Sequence, residues 1–152
     1  MAKDPDFDVG AAHRYFAAHC FNTAWTLIEK PDRSPEDDRL MVALNQASIY
    51  HWLQRSDCDN RRLSIGYWQA SRIHALLLNA GEAQRYAALC LALSHELEPF
   101  YLGYAHEAAA RAARIAGDLN RAADHKARAD VLARAVSKKE DRELLLADLA
   151  AL

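Results

Sequence analysis

Two short stretches of this chain repeat each other. "AGE" at 80–82 and "AGD" at 116–118 place Gly81 and Gly117 36 positions apart, each after an alanine and before an acid. Arg85 and Arg121 keep that offset, as do Ala87 and Ala123, and so do Trp68 and Tyr104 upstream. The mechanism is local. A glycine takes the left-handed conformation that ends one helix, and the acid beside it caps the next. A two-helix unit recurring every 30-odd residues predicts stacked helical hairpins.

Composition agrees. The chain has 152 residues, half of them hydrophobic, with only 5 glycines and 4 prolines. That suits one helical domain, residues 1–152, with a core of its own. The predicted elements are a divergent N-terminal hairpin over 7–55, units over 61–97 and 99–136, and a capping helix over 139–151. In the first hairpin, Phe16, Cys20, Trp25 and Ile28 recur at helical spacing, and Pro31 stops the helix. "RSPEDD" at 33–38 starts the second, with Ser34 as cap and Pro35 in the first turn. Its buried side is read as Leu40, Leu44, Ala47 and Leu53. Asp59 is the expected cap of the third helix. "SKKE" at 137–140 has the spacing of a capping box for the last helix. The expected architecture is all-α: about seven helices in a short right-handed solenoid, its alanine-rich faces packing closely.

The formal net charge is −2, with acids and bases interleaved. No basic face of the kind that neutralises phosphates is evident, so no nucleic-acid partner is expected. Cys20, Cys58 and Cys90 are far apart and form no CxxC pattern. With no signal-peptide pattern and no long apolar run, the reading is a reduced cytoplasmic compartment with no membrane partner.

Residues 61–136 resemble the tetratricopeptide repeat. Gly117, Ala122 and Ala129 match its turn and second-helix positions, and Gly81, Ala87 and Pro99 match less evenly. The whole chain also resembles a family of short bacterial proteins with tetratricopeptide-like repeats. The stretches that carry this are "FNTAWTLIEKPDRSPEDDRLM", "QASIYHW", "YWQASRIHALL" and "EDRELLLADLA". The family pattern before "HW" has Ala-His-Ala-Ser, where this chain has Asn45-Gln46-Ala47-Ser48. The resemblance implies a fold and brings no established activity.

Seven histidines are present, and no two are three or four residues apart, so no single helix offers a zinc pair. No nucleophile elbow or phosphate loop appears, so catalytic residues, cofactors and metals are not expected. The residues for a binding surface are Trp68 and Arg72 on one helix and Tyr104, Glu107 and Arg111 on another. At helical spacing they would line an aromatic and charged trough, in which arginine can grip a carboxylate. His51, beside Trp52, is a further pocket candidate. The leading function is a scaffold binding a peptide or partner protein in that trough. One alternative is a helix-bundle enzyme using His51 or His74 with Glu107; another is a homodimeric structural module.

Overall fold

A computed structural model describes residues 3–152. Seven α-helices and no strand occur among the described residues. The chain divides into two compact units, Met1–Asp59 and Asn60–Leu152.

The first unit is a hairpin of α1 (Val9–Glu29) and α2 (Pro35–Leu53). Asp8 caps α1 by accepting the amide of Ala11 at 2.9 Å. Lys30 is extended, as a residue before proline must be, and the helix ends there. Ser34 then accepts the amide of Asp37 at 3.1 Å while Asp37 accepts that of Ser34 at 3.0 Å, a closed capping box.

The packing faces differ from the expected ones. In α1 the buried stripe is Ala17, Cys20, Ala24 and Ile28, while Phe16 is exposed. In α2 it is Met41, Asn45, Ser48 and Ile49, and the predicted core residues Leu40 and Leu53 face solvent. The reason is polar. Ser48 Oγ donates to the carbonyl of Ala17 at 2.7 Å, so a hydroxyl sits comfortably at the seam. A hydrophobic-periodicity reading rejects a face that carries serine and asparagine, and so rotates the helix.

The second unit holds α3 (Asn60–Leu76), α4 (Ala80–Ser94), α5 (Pro99–Ile115), α6 (Leu119–Ala135) and α7 (Lys139–Ala150). α3 packs on α4 and α5, α5 packs on α6, and α7 lies against α5 and α6. The repeat is present, in a different register. At the first turn the left-handed residue is Leu78 (φ 57°), not Gly81, which lies inside the first turn of α4. At the second turn it is Gly117 (φ 81°). Asn79 caps α4 by accepting the amide of Glu82, and Asp118 caps α6 by accepting that of Arg121.

The turn hydrogen bonds match one for one. The Asn79 amide reaches the His74 carbonyl at 2.8 Å, and the Asp118 amide reaches that of Ala113 at 3.0 Å. Leu78 bonds to Ala75 as Gly117 bonds to Arg114, and each pair is 39 positions apart. The 36-residue offset is therefore three residues short. Asn79 and Asp118 cap equally well, and the cap sets the turn; the sequence match placed two similar tripeptides on different sides of it. In the true register Arg72 corresponds to Arg111 and Trp68 to Glu107.

Small residues occupy equivalent seams: Ser64 and Gly103, Ser71 and Ala110, Cys90 and Ala129, Ser94 and Ala133, all buried. Around them an alanine core forms from Ala75, Ala83, Ala87, Ala108, Ala109 and Ala112, closed by Trp68, Leu91 and Ile115. A second cluster, Ala129, Ala133, Leu145 and Leu149, seats α7. The capping box expected at α7 is absent. Lys138 is the cap residue and makes no side-chain cap bond. Ser137 lies one position too early for a helix that begins at Lys139.

Candidate functional site

The expected trough residues of the second unit do come together. Glu107 on α5 is fully buried. Its Oε2 accepts the indole N–H of Trp68 on α3 at 2.9 Å. Its Oε1 accepts Arg111 Nε at 3.0 Å and the same guanidinium's Nη2. Tyr104 meets Trp68 edge to face, with ring centroids 5.4 Å apart, and its hydroxyl donates to Asp148 on α7 at 2.7 Å. Burial and the Asp148 carboxylate push the Tyr104 phenol far above its ordinary pKa, so it stays protonated. Arg72 lies by the Trp68 ring, its Cζ 5.8 Å from the centroid.

The local reason is spacing. Glu107 and Arg111 are one helical turn apart on α5, and the 39-residue register sets Trp68 at the level of Glu107. A buried carboxylate needs hydrogen-bond donors, and both oxygens of this one have them. The network therefore ties α3 to α5. It does not leave Glu107 open to a ligand.

The open surface lies about one turn further along α5. A depression of about 320 Å³ is lined by Ala75, Leu76, Arg111, Arg114, Ile115, Ala151 and Leu152. A second, about 240 Å³, lies between α5, α6 and the chain's last residue and includes Arg114, Leu119 and Lys126. Arg111 alone of the expected residues lines either one. Arg114 was missed, although its i+3 position relative to Arg111 places it on the same face. Both depressions carry basic side chains and no acidic side chain, above floors of alanine, leucine and isoleucine.

The histidines are organised across helices, which no local spacing could show. In the first unit, His13 on α1 and His51 on α2 place their Nδ1 atoms 2.8 Å apart. The rings of Phe16 and Tyr50 flank them, at 5.5 Å from His51 and 6.0 Å from His13. Burial, and then His13, lowers the pKa of His51. In the second unit, His106 on α5 and His125 on α6 meet through Nδ1 atoms at 3.0 Å. At the equivalent positions of the preceding hairpin, Tyr67 and Tyr86 stack at 6.0 Å. His74 stacks flat on Tyr86 at 5.6 Å, and its buried Nδ1 has no hydrogen bond. The pairing of His74 with Glu107 that an enzyme would use is not formed, since Glu107 bonds Trp68 and Arg111 instead.

Burial holds His106 down to about 4, with the charges of His125 and Arg128 adding to it. Burial also lowers His125. Two neutral imidazoles of opposite tautomer then share one N–H···N bond. The sign of the pH effect follows. Below the ordinary imidazole pKa of about 6.5 the unfolded chain takes up protons that the folded pair refuses, so stability falls as pH drops toward about 4 and then levels. The rings are partly exposed, so the expected loss is about 1–2 kcal/mol. Urea titrations at pH 7 and pH 4.5 should show this loss in the native chain and a smaller one in His106→Phe. Parallel losses in the two would refute the assignment.

At Cys20 and Cys90 burial opposes nucleophilic chemistry. Burial raises Cys20, and pushes Cys90 up to about 12, where its thiol stays protonated and donates to the Ser64 carbonyl. Among the described residues no three His, Cys, Asp or Glu side chains converge as a metal set, and no helix is long and apolar enough to cross a membrane. Compared with known proteins, the chain matches no family model, no curated sequence and no solved structure.

Proposed function

We propose that this chain is a tetratricopeptide-like interaction scaffold of the bacterial cytoplasm that binds a peptide or partner-protein segment in the groove beside Arg111 and Arg114. The reading places α3, α5 and α7 as the inner helices of a short solenoid. The observation that carries it is the depression lined by Ala75 and Leu76 of α3, Arg111, Arg114 and Ile115 of α5, and Ala151 and Leu152 after α7. It combines an apolar floor with two guanidinium groups. One is anchored by Glu107; the other, Arg114, is exposed and forms no ion pair among the described residues.

That chemistry suits a segment with a carboxylate next to an aliphatic side chain. The anchored guanidinium is pre-organised, so less freedom is lost on binding, and the apolar floor supplies area. The repeat register supports the reading, because Arg72 and Arg111 recur at equivalent points of successive hairpins.

Selection from a random peptide library is the direct test. Enriched peptides should share an acidic group or free C-terminus beside a leucine-like residue. Arg114→Glu should weaken them about tenfold, or about 1.4 kcal/mol, because it turns an attractive partner into a repulsive one. A library that yields no binder, or binders indifferent to both Arg114→Glu and Leu76→Asp, would defeat the proposal.

A further inference from the structure

The His13–His51 contact lies in the first unit and owes nothing to the groove. Two nitrogen lone pairs cannot meet at 2.8 Å without something between them. In the metal-free chain that is a proton, carried on one Nδ1 and shared with the other. A cation can bridge the same two atoms from beside the line that joins them. Two nitrogens bound cis to one metal, each about 2.0–2.1 Å from it and about 90° apart, stand about 2.9 Å from each other; at a tetrahedral centre they stand about 3.4 Å apart. The observed spacing matches square-planar or octahedral coordination, and zinc would require the rings to part.

We infer that His13 and His51 form a two-nitrogen site for a divalent late transition metal of square or octahedral preference, nickel(II) or copper(II), with the remaining positions open to water or an added ligand. Binding asks for one proton relocation and a turn of both rings, whose centroids at 5.0 Å now stand nearly head-on. The ring that carries hydrogen on Nδ1 must move it to Nε2, through solvent, so that both Nδ1 lone pairs face the ion. Both rings are half-buried and not sealed in. The rings of Phe16 and Tyr50 pack beside the pair, with centroids 5.5 Å from His51 and 6.0 Å from His13 respectively.

The second pair supplies a built-in contrast. His106 and His125 stand at a similar 3.0 Å, but the charges of Arg128 bear on both rings and that of Arg121 on His125. A dication placed there meets repulsion that Asp124 only partly offsets. The same atom pair should therefore bind metal in the first unit and fail to do so in the second.

Calorimetric titration of the full chain with nickel chloride at neutral pH tests this. One ion should bind per chain; His13→Gln and His51→Gln should each weaken it by about tenfold or more, and His106→Gln should leave it unchanged. Should either glutamine variant unfold, the native chain still decides. In its NMR spectrum, substoichiometric copper(II) should broaden the ring resonances of His13 and His51 before those of His106 and His125. Binding that survives both glutamine variants, broadening that spreads evenly over all the histidines, or no uptake of nickel at all would overturn the inference.

Discussion

Glu107→Ala is expected to destabilise the second unit by about 3–5 kcal/mol, read from urea denaturation followed by the Trp68 signal. The size comes from what is left behind. The carboxylate is fully buried and satisfies two groups, the Trp68 indole and the Arg111 guanidinium. Without it, a largely buried cation and an indole N–H lose their acceptor together. A neutral amide restores only part, since Glu107→Gln has one acceptor oxygen where the carboxylate has two. Replacing both members, Glu107→Leu with Arg111→Leu, should cost less than Glu107→Ala alone, because no unpaired charge then remains. A single-variant loss under about 1 kcal/mol would mean that the pair behaves as a solvent-exposed one.

The second large effect lies under α7. Leu145 is fully buried against Ala129, Ala133 and Leu149, and Leu145→Ala should cost about 2–5 kcal/mol through lost burial and an unfilled space. Gly103 on α5 is the other side of this contact. A Cβ there would stand 2.6 Å from Leu145 Cδ2, so the tip of a fully buried leucine would have to shift. Gly103→Ala should therefore cost about 1–3 kcal/mol. The two changes compensate in shape. The double variant should lose clearly less than the sum of the singles, since the new methyl enters space vacated by the leucine. Simple additivity would show that α7 is not seated on Gly103.

These contacts mark how far the sequence could be read. Residues with a local cause were legible. Ser34 caps α2 and Pro35 opens its first turn, and Pro99 opens α5 in its first turn as proline favours. Gly117 and Asp118 end one helix and begin the next by their own conformational preferences. Seven helices, with turns near their observed places, follow from such rules.

Register and facing were not legible. Leu78 takes a left-handed conformation that its side chain disfavours, because Asn79 caps the next helix and leaves it no other route. A pattern search looks for glycine there and slips by three. Leu40 and Leu53 face solvent because a buried serine finds a carbonyl on the neighbouring helix, which hydrophobicity alone cannot foresee.

The sequence by itself determined the elements: that the chain folds into helices, that prolines and caps bound several of them, and that two hairpins of the second unit are alike. Those outcomes depend on backbone conformation and on groups within a turn of each other. Only the tertiary structure decided which helix faces pack, that Glu107 is spent on Trp68 and Arg111 and not held open, and that His13 meets His51 while His106 meets His125. Those outcomes depend on distances between helices, and such distances are set by how side chains far apart in the chain fill the same space.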